Sequence, residues 1–117
     1  MATAKGQMND DLQIVAEAKL DLLDSDRRMG VRLFKPQEVR EDEWACTLEI
    51  DAPIELTRTI HGVSSMQALI LALKTLSAYL YGSEEYRAGR LGIDGEFGGD
   101  LGLPATHWLH EVASYPF

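Results

Sequence analysis

The sequence predicts an α+β domain: a four-stranded antiparallel meander, one long helix packed on one face of it, a Gly-rich loop and a short C-terminal element. Three observations carry that expectation. Apolar and polar residues alternate with period two in four stretches between residues 12 and 60. The last two stretches are joined by only Asp51-Ala-Pro53, too short for anything but an antiparallel turn. An apolar run with helical spacing then opens just after Ser64.

In the first stretch, residues 12–22, the even positions Leu12, Ile14, Ala16, Ala18, Leu20 and Leu22 are apolar, while Gln13, Glu17, Lys19 and Asp21 stand between them. Ala, Glu, Lys and Leu favour helices, but the alternation outranks propensity and predicts a strand with one wet face. Turn-forming residues fill 24–30, with Gly30 read as the position free to take positive φ. The second strand, 31–35, is short because Pro36 cannot donate to a sheet ladder. The charged run 38–43 reads as a connection or hairpin tip. In the third strand, 44–50, Trp44, Cys46, Leu48 and Ile50 share the apolar side. The fourth, 54–60, places Ile54, Leu56 and Ile60 there too, with Arg58 out of pattern; a β-bulge or a stem snorkelling to the sheet edge accounts for it.

After Gly62, the spacing Ser64-x-x-Gln67 has the form of a capping box that starts the helix, and Gly82 supplies its stop. Met66, Leu69, Ile70, Leu73, Leu76 and Leu80 are the expected buried face. Ala68, Leu71, Ala72, Ala78 and Tyr79 make the rest of the helix poor in charge. Its outer side therefore calls for a cover: the aromatic C-terminal tail with Trp108, Tyr115 and Phe117, a second copy in a homodimer, both of these, or a partner.

With 117 residues, 45% of them hydrophobic, the chain can build one core; residues 12–117 are read as a single domain and 1–11 as a flexible N-terminal arm. The net charge of −8, divided as −5 over residues 1–60 and −3 over 61–117, argues against nucleic acid or an anionic membrane as partner. A single cysteine, Cys46, fits a reducing compartment and a buried inert thiol. Without a secretory segment or a membrane-length apolar run, a cytoplasmic location is expected.

Candidate chemistry is sparse. Glycines at 89, 92, 95, 98, 99 and 102 alternate with Asp94, Glu96 and Asp100. These acids lack the spacing and closing ligand of a calcium loop, and no phosphate-binding glycine motif is present, so turns joining short strands are the first reading. His107 and His110 are spaced to share a metal on a helical turn, but no further ligands complete a set, and no metal or cofactor is expected. His61, at a strand end, is the best single candidate for a general base or ligand contact, although packing explains it more simply. The polar sheet face, with Glu17, Lys19, Glu49, Glu55, Thr57 and Thr59, is either solvated or a recognition surface for a basic partner.

The run His61-Gly-Val-Ser-Ser-Met-Gln-Ala-Leu-Ile-Leu-Ala-Leu, followed by Leu80-Tyr-Gly-Ser, Gly89-Arg-Leu and Gly99-Asp-Leu-Gly-Leu-Pro104, resembles a family of small bacterial proteins known as a domain of unknown function. The resemblance spans the last half of the chain. The family pattern has Asp in place of Ser64, which keeps the capping chemistry. It implies a bacterial cytoplasmic protein and brings no activity. The resulting expectation is an acidic binding or interaction module, immunity- or adaptor-like, rather than an enzyme; the alternative is a small-molecule binder or enzyme with a site at His61 and the 94–100 loop.

Overall fold

In the computed structural model, which describes residues 12–104, the four alternating stretches are strands of one antiparallel sheet, but the sheet has seven strands rather than four. In chain order they are β1 (Ile14–Leu22), β2 (Arg28–Phe34), β3 (Gln37–Arg40), β4 (Glu43–Ile50), β5 (Leu56–Gly62), β6 (Leu91–Ile93) and β7 (Glu96–Phe97). A long helix, α1 (Ser65–Tyr81), and a single turn, α2 (Glu84–Arg87), lie between β5 and β6. β1, β2, β4 and β5 pair successively, which is the expected meander.

The departures have local causes. Pro36 interrupts pairing without ending it: Leu33 of β2 lies opposite Leu48 and Gln37 of β3 opposite Ala45, so β2 and β3 run along the same edge of β4. At the break, the Cys46 thiol donates to the Phe34 carbonyl at 3.2 Å. Residues 37–40 are thus strand, and only Glu41 and Asp42 form the tip, with Asp42 in the left-handed region at φ 62°. The turn before β5 extends to Glu55, also left-handed, so the strand starts at Leu56 rather than Ile54. Gly30, read as a turn glycine, is a buried strand residue; Asp24 has the positive φ instead. The Gly-rich segment is not all loop: β6 pairs with β1 at Asp21 and Leu22 and with β7 through a tight turn. The predicted N-terminal arm and C-terminal element lie outside the described residues.

The capping box is present. Ser64 Oγ accepts from the Gln67 N–H at 3.0 Å, and Gln67 Oε1 accepts from the Val63 N–H at 2.7 Å, one residue ahead of the cap. Ser64→Ala is therefore expected to lower stability by about 1 kcal/mol and Ser64→Asp to leave it nearly unchanged, as read from urea unfolding midpoints.

The buried face of α1 is rotated from the one expected. Ala68, Ala72, Leu76 and Leu80 are buried, Leu69 and Leu73 are half-buried, and Met66 and Ile70 are 70% and 45% exposed. Ser77 is buried as well, and the other four buried residues recur every four positions, one ridge of a helix laid on the sheet. Gly62 permits a close approach of the helix backbone, since a Cβ placed on it would lie 2.7 Å from the Ala68 nitrogen, and the small side chains of Ala68 and Ala72 are fully buried. Opposite this ridge, Leu48 and Ile50 of β4 are likewise buried. Arg58 is explained by the long-stem reading. The β4–β5 register has no shift, and the guanidinium carbon lies 5.8 Å from the centre of the Tyr79 ring of α1.

Candidate functional site

The residues singled out for chemistry are not brought together. His61, on β5, is exposed, with Nδ1 3.1 Å from Glu43 Oε2; Glu43 also pairs with Arg40. Asp94 and Gly95 form the β6–β7 turn, with φ of 54° and 82°, the two positive values that a two-residue hairpin of this hand demands. The Gly95 N–H donates to Asp21 Oδ2 at 2.9 Å, and Glu96 is an exposed residue of β7. Asp100 Oδ1 accepts from the Gly102 N–H at 2.8 Å and lies 3.3 Å from the Tyr81 hydroxyl. β4, β2 and β1 separate β5 from β6, so His61 and the 94–100 loop stand at opposite edges of the sheet, roughly 19 Å apart at four strand spacings. His107 and His110 lie outside the described residues. Among the described residues no group of three or more His, Cys, Asp and Glu is arranged to hold a metal ion, and no helix is long and apolar enough to cross a membrane.

What the Gly-rich segment does in the structure is pack. Tyr81 and Tyr86 meet edge to face with ring centres 5.0 Å apart. The Tyr86 hydroxyl reaches the carbonyls of Gly98 and Gly99 at 3.2 and 3.1 Å, and the Tyr81 hydroxyl accepts from the Leu101 N–H at 2.9 Å. Burial pushes the Tyr81 hydroxyl pKa above its usual value. Tyr81 at the end of α1 and Tyr86 in α2 thus fasten residues 98–101.

Cys46 is also structural. Its side chain is buried, and desolvation pushes its pKa up to about 11, so the nucleophilic thiolate is scarce at neutral pH. An aromatic disulfide reagent at pH 8 is expected to leave Cys46 unmodified in the native protein and to react fully once urea unfolds it; native reactivity matching the unfolded rate would contradict this placement.

The best organised polar cluster lies on the sheet face away from α1. Strand pairing sets Glu17 opposite Arg32 and Arg32 opposite Glu49, one row across β1, β2 and β4. Arg32 Nε is 3.3 Å from Glu17 Oε2, Nη1 donates to Glu49 Oε1, and Nη1 and Nη2 make a two-pronged pair with Asp51 at 3.0 and 2.8 Å. Gly30 makes the room: a Cβ there would fall 2.6 Å from Arg32 Nη2 and 2.7 Å from Asp51 Oδ2. The Arg32 side chain is 13% exposed, while its three acids are 39–47% exposed. Hydrogen bonding to Asp51 is the largest influence raising the Arg32 pKa, partly opposed by desolvation. In return the Arg32 hydrogen bond holds the Asp51 carboxyl below its usual range, with Lys19 a lesser contributor.

Chemically, this is a set of acceptor oxygens fixed in place. Arg32 is committed to three carboxylates at once, and with Lys19 included the cluster still carries one surplus negative charge. Thr57 lies opposite Glu49 on β5, and the hydroxyls of Thr47 and Thr59 meet at 3.0 Å beside it. The expected polar face included Glu17 and Glu49 but passed over Arg32. Its position between the apolar Val31 and Leu33 was the available signal.

Residues 16–105 match a protein family described as a domain of unknown function, DUF6968, a span that begins well before the half of the chain carrying the resemblance. No curated protein and no solved structure matches the chain.

Proposed function

The chain belongs to the DUF6968 family, and from that premise, which brings no activity with it, we propose that it is a protein-interaction module whose open sheet face receives a basic partner. The observation that carries this reading is the ring of Glu17, Glu49 and Asp51 around Arg32 on the face that α1 leaves uncovered. Carboxylates already held by a guanidinium lose little freedom when a second cation arrives, and their outward lone pairs still accept hydrogen bonds from Lys or Arg. The overall charge of −8 adds steering toward such a partner. The finer reading adds an immunity or adaptor type, for which the acidic face is the support, and a bacterial cytoplasmic origin, for which the support is the family resemblance and the single cysteine.

The test is affinity capture from the native cells with two baits, the wild-type chain and the double variant Thr57→Lys, Thr59→Lys. Both threonines are exposed on the open face and neither touches Arg32 by hydrogen bond. The expected result is a protein with a basic surface that the wild type retains at low salt and the double variant does not. Equal recovery by both baits, or none by either, would contradict the proposal.

A further inference from the structure

The sheet ends in a strand whose outer backbone groups are open. Among the described residues β5 and β7 are the outermost strands, and β7 is only two residues long. Asp51, the residue after β4, donates its N–H to the Gly30 carbonyl at 2.9 Å, so odd-numbered residues of β4 bond towards β2 and even-numbered ones towards β5. The unbroken β4–β5 register sets Ile50, Leu48 and Cys46 opposite Leu56, Arg58 and Ile60. Those three residues of β5 therefore turn their backbone groups inward, and Thr57, Thr59 and His61 turn theirs outward. The Arg58 side chain agrees with that direction, since its Nη1 donates to the Thr57 carbonyl at 3.0 Å. The other long edge, residues 14–20 of β1, has a bulge between Ile14 and Ala16 and carries Lys19, two devices that blunt an edge. β5 has no bulge, proline or lysine.

An edge of this kind takes up an extended segment as one more strand, with main-chain hydrogen bonds giving affinity and alternate side chains giving choice. The two faces beside β5 ask for different side chains. On the open face Thr57 and Thr59 are short, and Glu49 stands behind Thr57 on β4. An incoming residue on this face lies about 10 Å from Glu49, two strand spacings, and a Lys or Arg laid over Thr57 spans that gap. On the helix face the Arg58 guanidinium sits 5.8 Å from the centre of the Tyr79 ring, a setting that repels a further cation and suits an apolar side chain. We propose that the β5 edge binds an extended segment of a protein partner in which Lys or Arg alternates with apolar residues, its basic side chains lying over Thr57 and Thr59 towards Glu49. A second copy is the poorer occupant, because it brings the same acids and another net charge of −8 to this face. The inference rests on the reading of the open face as the site of a basic partner and adds how that partner is held.

The experiment titrates the full chain with a fluorescent heptapeptide of alternating lysine and valine, read by anisotropy and by amide hydrogen exchange. The expected result is saturable binding, with exchange at the Thr57, Thr59 and His61 amides slowed about tenfold or more and the Glu17 and Lys19 amides of β1 unchanged. Two further peptides carry backbone N-methyl groups, one on every lysine and the other on every valine. Successive residues of a strand point their amides to opposite edges, so one of these peptides is expected to lose binding and the other to keep it. Binding of the parent peptide without protection of the β5 amides, or N-methylated peptides that both bind or both fail, would overturn the edge and leave a basic ligand on the open face. No binding of the parent peptide, while the wild-type chain still captures a basic protein that Thr57→Lys, Thr59→Lys does not, would also overturn the edge alone. No binding together with no capture would remove both readings.

Discussion

Replacing Arg32 with methionine is expected to destabilise the protein by roughly 2 kcal/mol at pH 7. Methionine keeps much of the stem's packing, so the loss isolates the guanidinium. Removing one partner of a fully buried ion pair costs about 3–5 kcal/mol, whereas an exposed pair is worth under about 1. Arg32 lies between these limits, because its own side chain is 13% exposed but its acids are 39–47% exposed. The variant leaves Glu17, Glu49 and Asp51 to repel one another.

The pH dependence follows from the same contacts. Hydrogen bonding to Arg32 depresses the Asp51 pKa below its ordinary value of 3.8, so around that pH the unfolded chain binds more protons than the native one. Asp51 therefore adds stability that is complete above its ordinary pKa and is lost as pH falls through the lower native value. Urea unfolding from about pH 6 to about pH 2 is expected to show wild-type stability falling below about pH 4, and Asp51→Asn to flatten part of that fall. The deficit of Arg32→Met should shrink over the same range, since protonation relieves the repulsion. A deficit that stayed constant with pH would assign the effect to packing and remove the network from the account.

The second large effect concerns the face of α1. Ala72→Leu is expected to cost about 2–3 kcal/mol, because Ala72 is fully buried against the sheet and extra methylenes have nowhere to go. Met66→Ala is expected to change stability by less than about 0.5 kcal/mol, since Met66 is 70% exposed. Reversal of that order in thermal or urea unfolding would mean that the helix lies on the larger residues, as hydrophobic spacing alone suggests.

That contrast shows where the chain could be read and where it could not. The capping box at Ser64 and Gln67, the stop at Gly82, and the alternation of Trp44, Cys46, Leu48 and Ile50 are local signals, and the structure has each of them. The face of α1 depends on distance to the sheet: Met66 and Ile70 outweigh Ala68 and Ala72 on any hydrophobic scale, yet the alanines are the buried ones, and the helix backbone comes so close to β5 that Gly62 has no room for a Cβ. Gly30 was misread for a related reason, since a glycine required by a neighbouring guanidinium looks like one required by a turn. The strands β6 and β7, three and two residues long, are too short to show a period and exist because β1 offers an edge at Asp21 and Leu22. The Arg32 cluster needed strand register, which sets Glu17, Arg32 and Glu49 in one row although they lie far apart in sequence.

The central claim is that the open face around Arg32 binds a basic partner, and the most direct measurement is the affinity of the recovered partner for the wild type and for Thr57→Lys, Thr59→Lys across a salt series. The account predicts that the double variant binds about tenfold or more weakly at low salt, a loss of at least ~1.4 kcal/mol, and that the gap closes as salt screens the charges. Equal affinities for both proteins at every salt concentration would contradict it.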